Sequence, residues 1–148
     1  MITWITENVA IGDSTDAINE ELLRKEKIDC ILNLTTFDSR IVENTITSFL
    51  GVKYFHIYVG RHQGLEPIKI ELRVAAYMLE LLVKRYKRIL IHCTAGMDRS
   101  PFVVAYWIVK YQGNDICENK EDLKFWISAV YKVIKEKRPQ IIEHVEWV

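Results

Sequence analysis

Arg88-Ile-Leu-Ile-His-Cys-Thr-Ala-Gly-Met-Asp-Arg-Ser-Pro101 is the stretch that decides the fold. Ile89-Leu90-Ile91 is a short apolar run, which predicts a buried strand. Residues 92–99 form a loop carrying one cysteine, one glycine and one arginine. Phe102-Val-Val-Ala-Tyr-Trp-Ile-Val109 then reads as a helix apolar enough on every side to be buried. A strand, a glycine-bearing loop and a helix start aim backbone N–H groups at one spot, together with the positive end of a helix dipole. Such a spot binds an anion, most often phosphate. Here the anion site contains a thiol, that of Cys93.

Outward from this centre, strands alternate with helices. Residues 3–6 and 9–11 are strand candidates, and residues 16–27 have helical spacing with Ala17, Ile18, Leu22 and Leu23 inward. A strand over 28–34, a polar loop over 35–40, a helix over 41–50 and a strand over 52–59 follow. The glycines and proline of 60–67 predict a loop. Residues 68–86 predict a long amphipathic helix with Leu72, Ala75, Ala76, Leu79, Leu82 and Val83 on one face. After the central unit, residues 122–137 predict a helix with Leu123, Trp126, Ile127, Val130 and Ile134 inward. Residues 141–148 make a last short helix or tail. The expectation is one α/β domain over 1–148, a central mixed or parallel sheet flanked by helices on both faces. Ligands of such sheets sit beyond the carboxyl ends of the strands. The loops at Thr35, Gly60 and Cys93 all lie there.

Composition narrows the function classes. The 148 residues are 49% apolar and 27% charged, ordinary for a globular chain, and 20 basic residues balance 20 acidic ones. No long-range field therefore draws the protein to nucleic acid or to an anionic membrane, and no apolar run is long enough to span one. Three widely spaced cysteines do not suggest a disulfide framework. Cys30 and Cys117 read as small hydrophobes. A reduced, cytoplasmic setting and a monomer are expected, with no cofactor and no metal.

The chemistry follows from the loop. A helix start and a nearby cation lower a thiol from its usual pKa of about 8.5, and Cys93 has both, with Arg99 six residues on. A phosphate monoester fits a nest made by the backbone of Thr94, Ala95, Gly96, Met97, Asp98 and Arg99, with the planar Arg99 fork on two oxygens. Gly96 lets the backbone turn close to the anion. Ser100 is placed to hydrogen-bond the sulfur, and His92 to bond within the loop and tune the thiolate.

His92-Cys93-Thr-Ala-Gly96-Met-Asp-Arg99-Ser100 resembles the signature of cysteine-dependent phosphatases: His-Cys, five residues, Arg, then Ser or Thr. The whole chain resembles a dual-specificity protein tyrosine phosphatase catalytic domain. Its Ile5-to-Asp13 stretch, its Ile31-Leu-Asn-Leu34 strand and its Arg99-Ser-Pro101 helix start also fit that pattern. The resemblance implies a protein tyrosine phosphatase-like fold and a phosphocysteine on Cys93. It further implies phosphate binding by Arg99, metal-free hydrolysis, and phosphorylated proteins as substrates. Other phosphomonoesters carry the same chemistry: phosphoinositide, phosphoglucan or RNA 5′-phosphate. A phosphate-binding adaptor without turnover is the reading from another class.

One part departs from the family pattern. The aspartate that usually donates a proton to the leaving group is replaced by Arg61, and arginine gives up no proton at neutral pH. Asp98, Glu66, His62 and Asp38 are the candidates for that acid. Asp98 is preferred because the loop itself holds it, in an arrangement resembling cysteine phosphatases with an in-loop aspartate. A carboxylate beside a bound dianion also holds its proton more tightly through like-charge repulsion.

Overall fold

The strands are β1 (Thr3–Trp4), β2 (Val9–Gly12), β3 (Cys30–Asn33), β4 (Lys53–His56) and β5 (Ile89–His92). They form one sheet in the order β1-β2-β5-β3-β4, with β1 antiparallel to β2 and every other pair parallel. The expected mixed sheet is therefore observed. The helices are α1 (Glu20–Lys25), α2 (Ser39–Leu50), α3 (Lys69–Val83), α4 (Arg99–Trp107) and α5 (Lys120–Lys137). The computed structural model describes residues 1–35, 39–60, 67–113 and 116–148, without the side chains of 39–41.

Strand residues alternate between two cores because successive side chains leave opposite faces of the pleat. Val9, Ile11, Cys30, Leu32, Ile89 and Ile91 pack in the larger core with the apolar faces of α3, α4 and α5. Ala10, Ile31 and Leu90 pack on the other face with Ala17, Leu23, Ile28 and Val52. Burial of residues 102–107 was expected, whereas Ile108 is half-buried in the π-helical turn Ile108–Gln112 that follows α4. All nine residues of α4 are buried, and it packs against both α3 and α5. At about 25 cal/mol per Å² of apolar surface removed from water, this helix anchors the loop that precedes it.

The register decides where the site lies. Gly12 pairs with His92, His92 with Asn33, and Asn33 with His56, so the four parallel strands end in one row. The loop after β5 emerges in the middle of that row, with the ends of β2 and β3 on either side.

Some elements differ from the sequence expectation. The helix expected over 16–27 is a single turn at Asp16–Ile18 followed by the short α1. Asn19 separates them: its side chain accepts a hydrogen bond from the Leu22 N–H and caps α1, which a residue in mid-helix could not do. Ile18, expected inward, is exposed. In α5 the buried stripe runs through Ile127, Tyr131 and Ile134, and Trp126 sits at its rim, 41% exposed, edge-on to Phe125. That helix begins at Lys120 because Asn119 accepts from the Asp122 N–H. The strand expected over 52–59 pairs only over Lys53–His56.

Candidate active site

Cys93 follows β5 directly and is 2% exposed. Burial alone would push its thiol up. Opposing it are the Ser100 hydroxyl, the Ser100 N–H, the Arg99 charge and the Asp98 N–H, which together hold the thiol below its ordinary value. The Ser100 oxygen is 3.3 Å from Sγ. Cys30 is the internal control. It is equally buried in β3, lacks those donors and lies near Asp29, and it is pushed up to about 12. The surroundings of Cys93 thus favour the thiolate and those of Cys30 the neutral thiol.

The loop's carbonyls explain its donors. His92 Nδ1 donates to the Cys93 carbonyl at 3.0 Å. The Ser14 N–H and hydroxyl donate to the Thr94 carbonyl at 3.0 and 2.9 Å. Arg138 Nε donates to the Gly96 carbonyl at 3.0 Å, and the Ile142 N–H to the Met97 carbonyl at 2.8 Å. No peptide bond among the described residues is cis. In a trans peptide the N–H points opposite to the carbonyl. Tying these four carbonyls outward therefore turns the N–H groups of Thr94, Ala95, Met97 and Asp98 the other way, and the Asp98 N–H indeed reaches the Cys93 sulfur. The result is an anion nest.

Gly96 is required where it stands. Its φ is +67°, and an added Cβ would lie 2.5 Å from the Gly12 carbonyl oxygen and 2.7 Å from Arg138 Nη2. Arg99, at the start of α4, is anchored at two of its nitrogens. Its Nη1 donates to the Val59 carbonyl at 2.9 Å and its Nη2 to Thr94 Oγ1 at 3.0 Å. The guanidinium has five N–H groups, so such anchoring leaves donors for two oxygens of a phosphate.

Behind the cysteine lies a polar cluster that the sequence did not reveal. His92 Nε2 is 2.7 Å from Glu43 Oε1, and both side chains are fully buried. Asn33 Nδ2 donates to Glu43 Oε2 at 3.3 Å and to the Tyr54 hydroxyl at 2.8 Å, while its Oδ1 accepts from the Thr35 N–H and hydroxyl. Because His92 Nδ1 must carry a proton to reach a carbonyl, the ring is fixed in orientation. His92 thus bonds within the loop as expected, and also to α2, which was not.

Arg138 and His144 were missed as well. Arg138 is 2% exposed, and its Nη1 donates to the Met1 carbonyl and Thr3 hydroxyl at 2.9 Å each and to the Ile11 carbonyl at 3.4 Å. Burial draws its guanidinium down from the ordinary value, and Asp16, Asp13 and the Cys93 thiolate pull it back. An arginine immediately before Pro139 at a helix end was the available signal, and it does not say where the side chain goes. His144 Nε2 is 2.8 Å from Asp98 Oδ1.

The structure thus brings together Cys93, Thr94, Ala95, Gly96, Met97, Asp98, Arg99 and Ser100 in one loop. Asp38, Arg61, His62 and Glu66 lie outside the described residues. Cys117 is half-buried and away from this loop, in a cavity of about 350 Å³ with Arg73, Lys110 and Lys120. Among the described residues no group of His, Cys, Asp and Glu is arranged to hold a metal. No described helix is long and apolar enough to cross a membrane.

The thiol geometry makes one prediction at once. Alkylation of Cys93 by iodoacetate, followed against pH, should show a midpoint below the ordinary thiol value of about 8.5. A lowered pKa means that the reactive thiolate already exists at lower pH. Ser100→Ala removes a donor to the sulfur and should move the midpoint upward. A midpoint at or above the ordinary value in the wild type would contradict this electrostatic reading.

Comparison with known proteins shows the family. A model of the "Dual specificity phosphatase, catalytic domain" family matches residues 9–148. Tyrosine-protein phosphatase vhp-1 of Caenorhabditis elegans is 27% identical over 141 residues, covering 95% of this chain and 19% of that protein. Dual specificity protein phosphatase 14 of Mus musculus is 23% identical over 141 residues, 95% of this chain and 62% of that one. The chain thus spans less than two thirds of these relatives. The Yvh1 phosphatase domain from Chaetomium thermophilum superposes with a TM-score of 0.72 at 19% identity, covering 99% of this chain and 92% of that one.

Proposed function

The chain belongs to the dual specificity phosphatase catalytic-domain family, and from that premise we propose that it hydrolyses phosphotyrosine monoesters in proteins through a phosphocysteine on Cys93, with phosphoserine and phosphothreonine monoesters as further candidate substrates. The observation that carries the reading is the buried thiol held below its ordinary pKa inside a nest of N–H groups. A protein that only bound phosphate would be served by the nest without the thiolate.

In the first step the Cys93 thiolate attacks phosphorus, the Sγ–P bond forms and the P–O bond to the tyrosyl oxygen breaks. Asp98 gives that oxygen a proton. The nest and the Arg99 fork hold the three equatorial oxygens, where charge accumulates in the transition state. In the second step water attacks, Asp98 takes its proton, and the Sγ–P bond breaks. The Ser100 hydroxyl, 3.3 Å from Sγ, donates to the departing thiolate and makes it a better leaving group. No step requires a metal.

Purified protein is therefore expected to release phosphate from tyrosine-phosphorylated peptides in the presence of EDTA. Phosphoserine and phosphothreonine peptides in the same assay set the breadth of specificity. Phosphopeptide binding without phosphate release would contradict the proposal, and preferred turnover of an inositide, phosphoglucan or RNA 5′-phosphate would reassign the substrate.

A further inference from the structure

His144 lies beyond α5 with its imidazole between two carboxylates. Its Nε2 is 2.8 Å from Asp98 Oδ1 and its Nδ1 is 2.7 Å from Glu146 Oε1. The ring stacks on Trp147 at a centroid distance of 3.8 Å and an interplanar angle of 0°. Two residues earlier, Ile142 is fastened to the phosphate loop at the Met97 carbonyl. The imidazole is thereby held in a fixed place relative to Asp98.

We propose that His144, backed by Glu146, positions Asp98 and exchanges a proton with it in each turnover. The proposal rests on Asp98 being the group that protonates the leaving oxygen. Proton counting gives the mechanism. Each of the two hydrogen bonds needs one proton, so the trio shares two. In one arrangement the imidazole carries both and the two carboxylates are anionic. In the other the proton on Nε2 has crossed the 2.8 Å bond to Asp98, and the neutral imidazole still donates from Nδ1 to Glu146. The two differ only by a proton shift along an existing hydrogen bond.

A phosphate dianion bound in the loop favours the second arrangement by like-charge repulsion of the Asp98 carboxylate. Asp98 then passes the proton to the leaving oxygen as the P–O bond breaks. In the hydrolytic step Asp98 recovers a proton from water and returns it to His144 Nε2, so the cycle closes. The titratable groups bonded to the imidazole are Asp98 from the loop and Glu146 from its own segment, while Tyr131 from α5 lies at the His144 backbone, within the field of Asp98, Glu143 and Glu146. Burial above all, with added repulsion from those carboxylates, pushes the Tyr131 phenol up. It therefore stays neutral and takes no part in the exchange.

The test compares Asp98→Asn, His144→Gln and Glu146→Gln on phenyl phosphate, a poor leaving group, and p-nitrophenyl phosphate, a good one. Each is followed against pH, with thermal unfolding as control. Asp98→Asn should lower kcat on phenyl phosphate by about 100-fold and far less on p-nitrophenyl phosphate. His144→Gln should show the same selectivity at about 10-fold and displace the limb of the kcat–pH profile that belongs to the pair. Glu146→Gln, at a half-exposed carboxylate, should displace that limb with little change in Tm, which keeps the test open if the His144 variant folds poorly. Combining His144→Gln with Asp98→Asn should add less than about twofold to the loss of Asp98→Asn alone. Equal losses on both substrates with no displaced limb, or additive losses, would overturn the role of His144 while Asp98 kept its own. Loss of leaving-group selectivity in Asp98→Asn would overturn the acid assignment and the His144 inference with it.

Discussion

Cys93→Ser is expected to lower turnover by about 10⁴-fold or more while the protein still folds and still binds phosphate. The effect is large because no neighbouring group can replace what sulfur supplies. The loop's donors hold a thiolate below its ordinary pKa, but a serine hydroxyl starts so much higher that the same donors leave it protonated. Binding depends on other atoms. The N–H groups of Thr94, Ala95, Met97 and Asp98 are aimed by carbonyl ties that do not involve Sγ, and Arg99 is anchored by Val59 and Thr94. The measurement is kcat on a phosphotyrosine peptide beside calorimetric titration with the same peptide. A variant within about tenfold of wild-type turnover would contradict the assignment of Cys93 as nucleophile.

Arg138→Ala should be the most damaging change outside the loop. It removes the Arg138 donor from the buried bonds to the Gly96 and Ile11 carbonyls and from the part-buried bonds to the Met1 carbonyl and the Thr3 hydroxyl. An unsatisfied buried group costs about 1–3 kcal/mol. With partial rescue by water, a total of about 3 kcal/mol is expected, a fall in Tm of about 10 °C for a chain of this size. Activity should fall further than stability alone explains. Once the Gly96 carbonyl is released, the Met97 N–H is no longer aimed at the anion, and loss of one such donor costs about 10²–10³ in kcat. Arg138→Lys should recover little, because a single ammonium cannot reproduce the planar fork that serves Gly96 from Nε and the N-terminal strand from Nη1. The checks are Tm and kcat measured well below the midpoint of unfolding. A variant with lowered Tm and wild-type kcat would show that Arg138 supports the fold and not the loop.

These effects mark what could be read from the chain and what could not. The strand, loop and helix around Cys93 are contiguous, so their pattern marked the nest, the candidate nucleophile, Arg99 and Ser100 together. The alternation of strands and helices was equally legible because each element buries its own apolar face. The ties that shape the nest come from elsewhere. Ser14, Glu43, Arg138, Ile142 and His144 reach the loop from positions far apart in the chain, and nothing local marks them. A glutamate in α2 looks like any solvated charge until the fold lays it against His92. Smaller misreadings had local remedies. Asn19 and Asn119 were cap signals, and heeding them would have divided the helix expected over 16–27 and moved the start of α5 to Lys120.

The proposed proton chemistry follows from the departure of the sequence from the family pattern at Arg61. In the proposed mechanism, with Arg61 at the position where an aspartate is expected, Asp98 joins the proposed nucleophile and clamp in a single loop, and His144, after α5, is its partner. The loop, α5 and the C-terminal segment then act as one unit, fastened at Gly96, Met97 and Asp98.

The most direct test of the central claim is to quench the enzyme with acid during turnover of a phosphotyrosine peptide, digest it, and locate any phosphoryl group by mass spectrometry. Wild-type protein should carry the phosphoryl group on the peptide containing Cys93, as a thiophosphate labile to iodine. Ser100→Ala, with its slower second step, should carry more of it. Steady turnover with no phosphoryl group on Cys93 in either protein would contradict a phosphocysteine mechanism.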